Sequence, residues 1–132
     1  MNLFRKKPPV SVATYKADPT ATTPQTIAEY IKRGYAYHAR QDFGKADEDF
    51  RAAISMDASS SEAYYASGLN LKIQGRKEEA IKAFQQALDY MNKLEEQDSV
   101  RAHMLSRITK GHINQLTNGD WGLRKEFWGS DR

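Results

Sequence analysis

The middle of this chain matches itself when it is shifted by 34 residues. Tyr30 falls on Tyr64, Gly34 on Gly68, Ala46 on Ala80, Phe50 on Phe84 and Ala53 on Ala87. Tyr37 falls on Leu71 and Ile54 on Leu88. Only five of the 34 pairs are identical, so the placement of the matches carries the signal rather than their number. Within each unit they recur at steps of three and four residues, which puts them on one face of a helix. Tyr30, Gly34 and Tyr37 mark a first helix, and Ala46, Phe50, Ala53 and Ile54 a second. Gln41-Asp42-Phe43-Gly44 breaks the chain between them. Tyr64, Gly68 and Leu71, the break Gln74-Gly75-Arg76, and Ala80, Phe84, Ala87 and Leu88 repeat the plan.

The small residues have a packing role. A glycine inside a helix costs about 1 kcal/mol relative to alanine, so its recurrence argues for close helix approach. Gly34 with Ala46, and Gly68 with Ala80, bring the two helices of a unit together. Phe50 and Phe84 are expected to fill the space between successive units. The connector Asp57-Ala58-Ser59-Ser60-Ser61 offers Ser60 or Ser61 as an N-cap for the next helix.

This pattern resembles the tetratricopeptide repeat, whose 34-residue unit carries an aromatic, Gly, Tyr, then Ala, Phe and a second Ala. Residues 27–60 and 61–94 both fit it. The leucine usual beside the glycine is Arg33 in one unit and Ser67 in the other, and the closing proline is Ala58 and Asn92. Without that proline, the second helix of unit two is expected to run on, toward Glu95. The resemblance implies an all-α fold of antiparallel helix pairs, an α-solenoid. It also implies a concave groove lined by the first helix of each pair. The groove positions are Ile31, Tyr35, His38 and Ala39 in unit one, and Tyr65, Leu69, Lys72 and Ile73 in unit two, with Met104 and Arg107 extending the surface. Alternatively, Tyr35 and Tyr65 only pack against each other across the units. The clamp by which some family members hold the acidic C-terminus of heat-shock chaperones is not carried over. Ile31, Tyr35 and Ala66 stand at its lysine and asparagine positions.

Each unit exposes an apolar face that a neighbour must cover. Residues 99–116 read as a capping helix, started by Asp98 or Ser99. Val100, Met104, Ile108 and Leu116 lie near one face, with Leu105 and Ile113 beside it. A full third repeat is not expected, because the 34-residue register puts Asn114 where the second-helix alanine belongs. The folded domain is thus expected over 26–117. Thr117-Asn118-Gly119-Asp120 reads as a helix stop, and 118–132 as a Trp-rich tail holding both tryptophans. Two readings stand for it: Trp121, Leu123 and Phe127 fold back on the last helix, or the tail is a docking peptide anchored by Trp121, Phe127 and Trp128.

Residues 1–25 hold all four prolines, few apolar residues and a charge of +3, and read as a flexible arm. It contains no apolar stretch of a signal peptide. Residues 26–100 sum to −3 and 101–132 to +3, so the net charge of +3 does not describe the repeats. No cysteine is present, and no apolar run approaches the roughly 20 residues that cross a bilayer. His103 and His112 are nine residues apart and do not share a helix face. Acidic runs such as Asp47-Glu48-Asp49 and Glu78-Glu79 are read as complements to helix dipoles. Phosphate-loop, dinucleotide-binding and zinc-protease motifs are absent, so no enzyme, cofactor or metal is expected.

The expected function is a cytoplasmic adaptor that binds a protein or peptide in the groove. The alternative is an assembly subunit held through its arm and Trp-rich tail. Self-association through exposed repeat ends is a variant. Nucleic-acid binding is a weaker third reading, since three net charges at each end make a small footprint.

Overall fold

The computed structural model describes residues 18–94 and 99–122. All regular structure among them is helical: α1 (Ile27–Ala39), α2 (Phe43–Met56), α3 (Ser61–Ile73), α4 (Lys77–Leu94) and α5 (Ser99–Asn118). α1 packs on α2 and α3 on α4, while α2 and α1 contact α3, and α5 lies on α4. This is an all-α stack of two antiparallel helix pairs with a fifth helix at its end.

The boundaries follow from local chemistry. Thr26 caps α1: its hydroxyl accepts from the Glu29 amide, and the Glu29 carboxylate returns to the Thr26 amide at 3.1 Å. That reciprocal box satisfies donors the helix itself cannot reach. At the first break Gln41 takes φ 65°, and at the second Gly75 takes φ 78°. Between the units, Asp57 holds Ser59 through both its amide and hydroxyl, and Ser60 caps α3 by accepting from the Ala63 amide. α4 has 18 residues against 14 in α2, although both units lack the closing proline. Glu95 lies outside the described residues.

Each helix pair is closed by one ring on one glycine. A Cβ at Gly34 would overlap the Phe50 ring, and a Cβ at Gly68 would overlap that of Phe84. Both rings are completely buried. Phe50 shares a core cluster with Ile31, Ala46 and Ala53 of its own unit and Ala63 and Ala66 of α3. So each phenylalanine locks its own pair first and fills the space between units only second.

Three expectations need correction. Residues 18–25 do not belong to a flexible arm: Asp18 receives hydrogen bonds from the Thr20 amide and hydroxyl, and Pro19 and Pro24 are buried. Residues 1–17 lie outside the described residues. Asp49 is not a dipole complement. It sits in the second turn of α2, is 3% exposed, and receives two hydrogen bonds from Arg33 at 2.7 and 2.8 Å. Asp47 pairs with Arg51 one turn on, at 2.8 Å. Finally, only part of the bulky stripe of α5 packs inward: Leu116 and the flanking Ile113 lie on the core of unit two, but the buried positions are small ones. Ala102, Thr109 and Gly111 are buried, whereas Val100 and Met104 are 71% and 60% exposed. Thr109 reaches full burial because its hydroxyl donates to the Leu105 carbonyl at 2.7 Å.

Candidate functional site

Where α1, α3 and α5 come together they leave a cleft of about 400 Å³, with Met91 of α4 among its lining residues. Tyr35, Tyr65, Leu69 and Leu105 supply most of the remaining apolar lining, and Glu62 and Arg101 its charge. The helix pairing dictates this placement. Glycine locks press α1 on α2 and α3 on α4, so the aromatic residues next to the locks turn outward together. Tyr35 rests edge-on against Phe50, with centroids 5.5 Å apart, and Tyr65 leans on Phe84 at 5.9 Å. Each tyrosine is therefore held by the phenylalanine of its own unit. Glu62 and Arg101 meet across the cleft at 3.5 Å.

Of the groove residues read from the sequence, the cleft brings together Tyr35, Tyr65 and Leu69. Ile31 is not available to it. It is 5% exposed and belongs to the core cluster that includes Ala63 and Ala66 of the next unit. His38 is partly buried and bridges the units: its Nδ1 lies 2.9 Å from Asn70 Oδ1. Asn70 donates from its Nδ2 to the Phe43 carbonyl, so Oδ1 is the acceptor and His38 carries its proton on Nδ1. Ala39 is exposed at the end of α1. Ile73 is 62% exposed, and it and Met104 stand outside the cleft lining. Arg107 lines a notch of about 90 Å³ between α4 and α5, with His103 and Lys110. Glu62, Met91, Arg101 and Leu105 are cleft residues that sequence reasoning missed. Leu105 was visible beside the chosen face of α5, whereas Glu62, matched to Ala28 in the 34-residue register, carried no signal.

Lys72 is turned away from the groove toward α5. Its ammonium donates to His112 Nδ1 at 2.9 Å and to Gln115 Oε1 at 2.6 Å. Partial burial lowers the Lys72 pKa from its ordinary value. An ammonium donating to Nδ1 requires neutral His112 with its proton on Nε2, which faces Tyr65 Oη at 3.4 Å. His112 also stacks flat on Phe84, with centroids 5.0 Å apart. Burial, and secondarily the Lys72 charge, push the His112 pKa down to about 4.

Trp121 is part of this cluster and not a free docking side chain. Its ring covers Gly111, where a Cβ would overlap it, and meets His112 edge-on at 4.8 Å. Asn114 Nδ2 donates to the Trp121 carbonyl at 3.0 Å, and the Lys72 ammonium lies 5.9 Å from the ring centre. Leu123, Phe127 and Trp128 lie outside the described residues. Among the described residues no group of three His, Asp or Glu side chains could hold a metal ion. No helix among them is long and apolar enough to cross a membrane.

Comparison with known proteins agrees with this geometry. Two family models, each described as Tetratricopeptide repeat, match residues 30–60 and 61–94. No curated protein and no solved structure matches. The matched segments meet at the α2–α3 connector and cover both locked helix pairs, each with its glycine and its phenylalanine. Such repeats generally mediate protein–protein interactions. The chain belongs to the tetratricopeptide-repeat family.

Proposed function

We propose that this protein is a non-enzymatic adaptor that holds a segment of a partner protein in the cleft between α1, α3 and α5. The observation that carries this reading is the cleft itself. It pairs an apolar, aromatic lining with the ion pair Glu62–Arg101. Burying apolar surface in such a cleft contributes roughly 25 cal/mol per Å² removed from water. Tyrosines fixed by their neighbours offer contact area at little entropic cost. The segment that fits carries one or two bulky apolar side chains, with polar groups able to meet the Glu62 and Arg101 charges.

The polar groups close to the cleft are engaged with each other: Glu62 with Arg101, and His112 with Lys72 and Tyr65. They serve the scaffold, which supports a binding role over a catalytic one. A photo-crosslinking amino acid at Leu69 tests the reading in the native source. It is expected to capture a partner that the same group at exposed Gln85 on α4 does not. Capture of the same species at equal yield from Gln85 would contradict the cleft assignment.

A further inference from the structure

The glycine locks differ in how their rings are delivered. Phe50 on α2 and Phe84 on α4 are completely buried, and each fills the place of a side chain at Gly34 or Gly68. Trp121 fills the same place at Gly111, but it lies beyond the end of α5 and belongs to no helix. It is also only half-buried. Gly119 takes φ 77°, and the chain turns back there to bring residue 121 beside Asn114. Among the described residues, the hydrogen bond that ties Trp121 down is the one from Asn114 Nδ2 to its carbonyl. Opening either of the first two locks means separating a helix pair. Opening the third costs that hydrogen bond and the contacts of one ring, which a competing ring can replace.

The seat stays formed when the ring leaves. Gly111 gives it a floor without a side chain, the His112 imidazole a wall 4.8 Å from the indole, and the Lys72 ammonium a cation 5.9 Å from the ring centre. Neither group depends on Trp121 for its position. His112 stacks flat on Phe84 at 5.0 Å, and Lys72 donates to both His112 and Gln115. A cation at that distance favours an aromatic group over an aliphatic one, and tryptophan most of all. The seat also adjoins the cleft: Tyr65 lines the cleft, and its Oη lies 3.4 Å from His112 Nε2.

We propose that the Gly111 seat is a second binding subsite, for an aromatic side chain of the partner segment, and that Trp121 is a displaceable plug that occupies it in cis. The proposal rests on the adaptor reading for the source of the ring. A segment whose apolar side chains enter the cleft reaches the seat past Tyr65 and displaces Trp121. The plug therefore weakens binding: a subsite open about one-tenth of the time binds about tenfold more weakly than an open one.

Two measurements need no partner. Gly111→Ala adds a methyl where the indole lies, as Gly68→Ala adds one where the Phe84 ring lies, and both gain helix propensity. Expelling a plug leaves the helices packed, so Gly111→Ala is expected to keep the urea midpoint near that of the unaltered chain while Gly68→Ala lowers it. An equal lowering would make Trp121 a core ring and overturn the proposal. The second measurement is made in a Trp128→Ala background, which leaves Trp121 as the one tryptophan. Adding Trp121→Ala opens the seat, and N-acetyl-tryptophanamide supplies the ring. By NMR at Gly111 and His112, the probe is expected to bind the open chain saturably and about tenfold more tightly than the plugged one. N-acetyl-leucinamide is expected to bind at least tenfold more weakly. No saturable binding, equal binding of the leucine probe, or loss of cooperative melting on adding Trp121→Ala would overturn the proposal. With the partner captured at Leu69, Trp121→Ala is expected to tighten affinity about tenfold. Unchanged affinity would overturn the plug and leave the cleft assignment standing, whereas failure of the cleft assignment would leave the probe titration unaltered.

Discussion

At Gly34 and Gly68, the absence of a side chain is what lets a helix pair close. Alanine at either position would raise helix propensity by about 1 kcal/mol, but its methyl would enter a completely buried phenylalanine ring. Overpacking of that kind costs about 1–3 kcal/mol beyond any gain. Gly68→Ala is therefore expected to lower the urea midpoint with an unchanged slope, and Gly68→Ala with Phe84→Leu to recover part of the loss. The Arg33–Asp49 pair is a second residue-scale device. Unit two has Ser67 and Ala83 at the matching positions, so the repeat tolerates the pair or its removal, not half of it. Arg33→Ser alone strands a buried carboxylate and is expected to cost about 3 kcal/mol in chemical denaturation. Arg33→Ser with Asp49→Ala is expected to cost well under half of that. The two repeated glycines were legible in the sequence because they recur in register. Gly111 was not, because its ring comes from ten residues onward and Ala102 holds its place in the 34-residue register. Arg33 was legible as a departure, but its partner Asp49 was hidden inside an acidic run.

At the scale of elements, α5 is joined to the repeats by a polar and aromatic cluster as well as by Ile113 and Leu116, which pack on the core of unit two. His112 stacks on Phe84, accepts from Lys72 and meets Trp121. Its pKa is pushed from 6.5 down to about 4, so the folded state disfavours the charged imidazole. The sign follows: between pH 6.5 and 4 the unfolded chain takes up a proton at this site and the folded chain does not. Stability from His112 is full above pH 6.5 and falls as pH drops toward 4. A plot of melting temperature against pH is expected to slope in that window, and His112→Phe, which retains the stacking, to flatten it. An imidazole titration midpoint near 6.5 by NMR would contradict this placement. Reading α5 by bulky residues chose Val100 and Met104 for burial because size and hydrophobicity dominate a periodicity argument. The helix instead buries Ala102 and Thr109, small enough for close approach to α4. Thr109 is paired internally with the Leu105 carbonyl. No single-sequence pattern marks a threonine that satisfies its own hydroxyl.

For the whole molecule, two repeats and one helix make a scaffold with a cleft on one side and an outer α5 face on another. The helix-pair architecture was readable from the 34-residue match. Of the expected groove, Tyr35, Tyr65 and Leu69 line the cleft, while Ile31 and Lys72 are drawn into contacts between elements. A register assigns positions along a helix but not the rotation at which a neighbour captures a side chain. The most direct test of the cleft is the affinity of the partner captured at Leu69, measured by titration with Tyr35→Ala plus Leu69→Ala. Losing two apolar anchors at an interface is expected to weaken binding by at least tenfold, since each is worth upward of about 1 kcal/mol. Ile73→Ala, which alters an exposed side chain outside the cleft, is expected to leave affinity unchanged. Undiminished affinity in a double variant that melts as a folded protein, or an equal loss from Ile73→Ala, would contradict the cleft as the binding surface.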